Sequence, residues 1–206
     1  MSDRLTLDFD PDTLAWDKQD GLIPAIIQDA RSHRVLMLGY MDRAALDRTL
    51  ATGLATFYSR SRERLWTKGE TSGHTLDVLA IETDCDADTL LIAVRAHGPT
   101  CHLGRTSCFP TASGDFLADL ADLIAARQRE RPAGSYTTRL FDAGLRRIAQ
   151  KVGEEGVEAA LAAVAQTPDE LVGEAADLLF HLLVLLRARD LDIEAVIARL
   201  AERHRR

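Results

Sequence analysis

The chain has 206 residues, of which 46% are apolar and 28% charged, and a net charge of −7. No apolar run reaches the roughly 18–20 residues of a membrane span. Neither half carries the basic excess of a nucleic-acid binder. The length allows one domain or two small ones.

The opening segment MSDRLTLDFDPDT is acidic and lacks the apolar stretch of a secretory signal, so a cytoplasmic protein is expected. Residues 1–112 read as strands with one helix. Leu22–Ile27 and Arg34–Met41 are apolar runs around a turn at Arg31-Ser32-His33, the pattern of a hairpin. Asp42 is placed to cap a helix with Ala45, Leu46, Thr49 and Leu50 on one face, and Gly53 to stop it. Four further strands follow: Ala55–Ser59, Arg64–Thr67, Leu76–Glu82 and Thr89–Ala96. Short connections favour a mainly antiparallel sheet in an α+β domain.

Small turn residues at Pro110–Gly114 separate this half from the next, and the domain boundary is set at 112/113. In 113–206 the period becomes 3.6. Phe116, Leu117, Leu120, Leu123 and Ile124 make one stripe. Leu140, Leu145, Ile148, Val152, Val157, Leu161 and Val164 make a second, longer one. Thr167-Pro168 is a helix start, Leu171–Leu186 a central helix, and Asp192 the cap of a final one. Four or five helices of this size enclose a small core, so the all-α half is expected to need an oligomer.

Three free-standing cysteines in a cytosolic chain argue against a disulfide framework and leave metal binding or catalysis open. Thr83–Asp88 offers Asp84, Asp86 and Asp88 together with Cys85. If extended, it puts the acids on one side and the thiol on the other. Hard oxygens suit Mg²⁺ and thiolate suits Zn²⁺. Cys101 and Cys108 could join Cys85 around one ion, and three protein ligands leave the open position a catalytic zinc needs. Small buried hydrophobes and a solvated acidic turn explain the same residues without a metal. Upstream, Trp66 offers a stacking face, Lys68 a cation, and the Gly- and Ser-rich turn through Ser72, Gly73 and His74 backbone N–H groups for phosphate, although an ordinary hairpin turn fits as well.

In the second half, Glu154, Glu155 and Glu158 share a helix face, and Glu174 and Asp177 recur three apart in an apolar helix. Gly153 and Gly156 each cost a helix about 0.8–1.0 kcal/mol relative to Ala. A bound cation and a close-packed neighbour would account for both penalties. Five converging carboxylates would form a Mg²⁺ site for polyphosphate, with Lys151 touching phosphate. A solvated face with Lys151 paired to Glu155 explains the first three acids but not Glu174 and Asp177. His181 reads as a hydrogen-bonded core residue.

The motifs PAIIQDA, VLMLGYM, LWTKGETSGH, DCDADTLL and GPTCHLGRTSCF closely resemble the phosphoribosyl-AMP cyclohydrolase family. SYTTRLFDAGLRRIAQKVGEEGVEAAL and EAADLLFHLLVLL, with EExxE followed by ExxD, resemble the phosphoribosyl-ATP pyrophosphohydrolase family, a MazG-like helical bundle. The order is that of the bifunctional enzymes of bacterial histidine biosynthesis. The resemblance implies that the second half converts phosphoribosyl-ATP to phosphoribosyl-AMP and pyrophosphate. The first half would then open the adenine ring at N1–C6 with zinc-bound hydroxide. It puts zinc on Cys85, Cys101 and Cys108 in a site shared across a homodimer, and one Mg²⁺ on Asp84, Asp86 and Asp88. A second Mg²⁺ falls on Glu154, Glu155, Glu158, Glu174 and Asp177, with Glu155 catalytic. His102 is the candidate proton shuttle and His74 the second; Trp66, Lys68, Ser72, Gly73, Arg105 and Lys151 are candidate substrate contacts. His74 stands where some relatives carry Asn, and Phe180 where some carry Tyr.

Overall fold

The computed structural model describes residue 5 and residues 7–204; parts of the acidic opening segment and the last two residues lie outside it. The chain divides into two compact units, Met1–Phe116 and Leu117–Arg206. No helix of the described residues is long and apolar enough to cross a membrane.

The first unit is built on β1 (Ile23–Asp29) and β2 (Val35–Met41), which pair antiparallel from Ile23↔Met41 onward. Helix α1 (Arg43–Thr52) follows directly. Asp42 Oδ1 accepts from Ala45 N at 2.7 Å, and Gly53 closes the helix at φ 73°, as its sequence position leads one to expect. A two-stranded ribbon, β3 (Thr56–Ser59) and β4 (Arg64–Thr67), and then the hairpin β5 (Leu76–Thr83) and β6 (Leu90–Ala96) complete the unit. The four-stranded sheet has the order β2-β1-β6-β5.

That sheet is mixed. Two of its three pairings are antiparallel, but β1 and β6 run parallel, Ala25↔Leu90 through Asp29↔Val94. Connection length orients strands that follow one another, and β1 and β6 do not. α1 and four strands intervene, supplying the long crossover a parallel pair needs. Alternation puts Ile23, Ala25 and Ile27 of β1 and Leu90, Ile92 and Val94 of β6 in the core with Leu46 and Phe57.

The second unit is helical: α2 (Phe116–Glu130), α3 (Tyr136–Ala143), α4 (Leu145–Ala165), α5 (Pro168–Arg187) and α6 (Ile193–His204). The long stripe expected from Leu140 to Val164 is broken between α3 and α4. Gly144 interrupts it at φ 84°, a conformation glycine adopts without steric penalty. The stripe is also only half buried. Ile148 faces the core, whereas Val157, Leu161 and Val164 are exposed. Thr167 caps α5 in a reciprocal capping box with Glu170, with Pro168 in the first turn, and Asp192 Oδ1 accepts from Ala195 N at 2.9 Å. α4 packs chiefly against α5, to which it is joined only by Gln166 and Thr167. Ile124, Leu140, Ile148, Leu183 and Val184 form the core.

Candidate active sites

The first site is a cavity of about 590 Å³ in the N-terminal unit. One wall is the loop after β4. Thr67 N donates to the Glu70 carboxylate, Gly73 N to Gly69 O, His74 N to Ser72 Oγ, and Lys68 Nζ to His74 O at 3.3 Å. The loop thus spends several of the N–H groups that sequence reasoning offered to phosphate. Gly69 lies at φ 84°, and a Cβ there would overlap the His74 carbonyl, so the turn can close only on glycine. Burial pushes the Lys68 ammonium below its usual pKa; the nearby sulfurs of Cys108 and Cys101 oppose the shift.

The opposite wall is the loop from Pro99 to Cys108. Cys101 N donates to Arg105 O and Gly104 N to Cys101 O, a tight turn that returns the chain so that Cys101 and Cys108 interact. Ser107 Oγ donates to Val35 O at 2.7 Å and accepts from Phe109 N, and Cys108 N donates to Leu36 O, which ties the loop to β2. The Leu103 backbone N–H and then the Arg105 guanidinium lower the Cys101 pKa. Burial and the Cys101 charge raise that of Cys108. Trp66, Lys68, Ser72, His74, His102 and Cys101 all line the cavity; Gly73 and Arg105 do not. Arg105 points its guanidinium at Cys101 Sγ, 3.8 Å away.

Cys85 is exposed and does not line the cavity that Cys101 and Cys108 share. No group of three potential ligands among the described residues unites the three sulfurs within one chain. Cys85 sits instead in the β5–β6 turn, where Asp84, Asp86 and Asp88 offer oxygens within 4.8 Å of one another. Strand alternation is not the cause, because this segment is a turn. Asp84 Oδ1 accepts from Asp88 N and Thr89 N, and Ala87 takes φ 59°. Sequence reasoning missed Lys18, whose Nζ bridges Asp86 at 2.6 Å and Asp88 at 2.9 Å. The bridge raises the Lys18 pKa and lowers that of Asp88. Nothing local links residues 68 and 70 positions apart in the chain. Arg62 and Thr100, also on the cavity wall, were missed as well.

The second site lies on α4 and α5. Of the five expected carboxylates, Glu155, Glu158 and Glu174 offer oxygens within 4.8 Å of one another. Glu154 and Asp177 are not in that group. Glu154 is taken up by Arg147 at 3.1 Å, Gln150 at 2.8 Å and Lys151 at 3.0 Å, because its place on the helix turns it toward them. Lys151 also pairs with Glu155 at 2.6 Å, and it lowers the pKa of both acids. Partial desolvation, and then repulsion from Glu155 and Glu174, raises that of Glu158. No neighbour packs onto the two glycines. A Cβ at Gly153 would meet nothing and one at Gly156 only Leu178 at 4.0 Å, so the close-packed neighbour expected there is not found. His181 is buried, with both ring nitrogens hydrogen-bonded, as its apolar setting leads one to expect.

Residues 37–110 match the family model of phosphoribosyl-AMP cyclohydrolase and residues 117–204 that of phosphoribosyl-ATP pyrophosphohydrolase. The histidine biosynthesis bifunctional protein HisIE of Xanthomonas campestris is 66% identical over 194 residues, 94% of each chain. That of Shewanella oneidensis is 56% identical over 207 residues, 100% of this chain and 98% of its own. The chain belongs to the HisIE family. As in that family's double name, one polypeptide carries both activities, the cyclohydrolase on the mixed-sheet unit and the pyrophosphohydrolase on the helical one. The HisIE protein of Salmonella typhimurium, 55% identical over 193 residues, covers 93% of this chain with 95% of its own.

Proposed function

We propose that both hydrolases of this chain are metal-dependent and that the chain works as a cytoplasmic homodimer. Two substrates are taken in succession. Phosphoribosyl-ATP loses pyrophosphate on the helical unit, for which we adopt the MazG-like description. Phosphoribosyl-AMP then takes up water at C6 of the adenine on the N-terminal unit, and its N1–C6 bond breaks. The domains are taken as 1–112 and 113–206.

The observation that carries the cyclohydrolase reading is the meeting of Cys101 and Cys108 in one cavity with Lys68, His74 and His102. The donor set fits zinc. It consists of soft sulfurs, one of them 3.8 Å from the Arg105 guanidinium, a cation that favours thiolate. Zinc bound there by Cys101 and Cys108, with Cys85 contributed across the dimer, would supply Lewis acidity that makes water nucleophilic near neutral pH. The chain's own groups do the rest. Trp66 stacks on the base. Lys68 and Ser72, with Gly73 and Arg105, hold the phosphates. His102 takes the proton of the attacking water and returns it to the opening ring, with His74 in reserve. Asp84, Asp86 and Asp88 form a hard-oxygen set suited to Mg²⁺, and they already hold one cation, the Lys18 ammonium.

The Glu155–Glu158–Glu174 set likewise suits Mg²⁺. A divalent ion relieves the repulsion that raises the Glu158 pKa. Glu154 and Asp177 would complete the set around a bound ion, Lys151 would reach phosphate, and Glu155 would orient water. Exposed Val157, Leu161 and Val164 are covered in the dimer.

Paired substitutions test the assignment. Cys101→Ala should abolish ring opening and leave pyrophosphate release intact, and Glu155→Gln should do the reverse. Products of purified protein with phosphoribosyl-ATP, resolved by chromatography with mass detection, decide it. Normal ring opening by Cys101→Ala with zinc chelated would sink the thiol-metal reading.

A further inference from the structure

One buried titratable group in the helical unit takes no part in the scheme above. His181 is 3% exposed, and its Nδ1 lies 2.8 Å from the Asp177 carbonyl and 3.6 Å from Glu155 Oε1. A carbonyl only accepts, so Nδ1 carries the proton of the neutral ring and Nε2 is an acceptor. The phenol of Tyr136, the first residue of α3, lies 2.9 Å from Nε2 and donates to it. The rings are set by packing as well: Phe180 stacks with Tyr136 at 6.1 Å and meets His181 edge-on at 5.2 Å.

The geometry points to Tyr136 as a positioning residue that acts through His181 on the Glu155 carboxylate. The Asp177 carbonyl sets the tautomer, and the Tyr136 hydroxyl pins the far edge of the ring so that its Nδ1 edge stays beside Glu155. Lys151 Nζ sits on the same Oε1 at 2.6 Å. The Lys151 ammonium bonded to Oε1 and the polar edge of the His181 ring beside it hold the rotation of a buried carboxylate that shares a ligand group with Glu158 and Glu174. Without the phenol the ring keeps the tautomer set by the Asp177 carbonyl but loses one of the two hydrogen bonds that fix its tilt beside Glu155. Hydrogen bonds behind a metal ligand typically change metal affinity by about 10- to 100-fold. Tyr136 stands one bond further back, so a smaller effect of roughly three- to tenfold follows. The inference rests on the reading of Glu155 as a metal ligand.

Mn²⁺ binding to the full chain without substrate, followed by paramagnetic resonance, tests it. The ion lost in Glu155→Gln marks the helical site. Tyr136→Phe keeps the ring stack and should weaken that ion's binding roughly three- to tenfold at an unchanged melting temperature. The ¹⁵N signal of His181 Nε2 should shift as it loses its donor, with the proton still on Nδ1. His181→Asn, whose amide nitrogen replaces Nδ1 as donor, should hold Mn²⁺ better than His181→Phe; this comparison stands even if Tyr136→Phe does not fold. Wild-type Mn²⁺ affinity and wild-type ring signals in Tyr136→Phe would overturn the role of Tyr136 alone. So would equal affinity in the two His181 variants. Mn²⁺ binding that Glu155→Gln leaves unchanged would overturn the metal reading of the carboxylates and this inference with it.

Discussion

Gly69 is a residue on which the cavity of the N-terminal unit directly depends. Its φ of 84° and the carbonyl of His74 against its α-hydrogen admit no side chain. A left-handed conformation alone costs an L-residue roughly 1–2 kcal/mol, and the overlap adds to it. Gly69→Ala should destabilise the N-terminal unit by at least that amount in denaturant titration. It should also lower ring opening by displacing Lys68 and His74, while pyrophosphate release stays normal. At this scale the sequence singled out several residues that fold around one cavity. Trp66, Lys68, Ser72, His74, His102 and both loop cysteines do line one cavity. What it could not convey were partners distant along the chain. Lys18 on the acidic turn and Tyr136 on His181 are brought together only by tertiary folding.

Among the elements, α5 shows its start signal most plainly and offers a pH test. Thr167 donates to Glu170 from both its backbone N–H and its hydroxyl, which holds the Glu170 carboxyl below its usual pKa. A carboxyl depressed on folding stabilises the native state above its unfolded pKa. The contribution is lost as pH falls through the lower, folded pKa. Stability of the helical unit should therefore decline as pH drops below about 4.5, and Glu170→Gln should flatten that part of the profile. Helix caps and strand alternation were readable because both are local. The break at Gly144 was not, because the apolar period runs through it undisturbed and only the backbone angle separates α3 from α4. The parallel β1–β6 pairing escaped for a related reason: it joins strands that periodicity treats one at a time.

Over the whole molecule, the two units have unequal means of staying folded. Among the described residues, seventeen buried apolar side chains form the N-terminal core and five the helical one. Calorimetry should show separate transitions, the helical unit melting first and at a temperature that rises with protein concentration as the exposed stripe is covered. Mg²⁺ at about 100 times its dissociation constant adds roughly 2.7 kcal/mol to the unit that binds it. For a unit of this size that is a rise of roughly 10–20 °C, which a chelator should reverse.

The ammonium of Lys18 gives the acidic turn a competitor that cannot diffuse away. A free divalent ion arriving at Asp86 and Asp88 has to evict a tethered one whose local concentration is set by the fold and not by the medium. Uptake is then an exchange, and its apparent affinity is the intrinsic one scaled by the fraction of time the lysine is away. Lys18→Gln should tighten divalent binding at this turn by roughly two- to fivefold, read by calorimetric titration, because exposed ion pairs are weak. The same lysine offsets the charges of Asp86 and Asp88, so these two acids of the turn carrying Cys85 sit close together with their repulsion relieved.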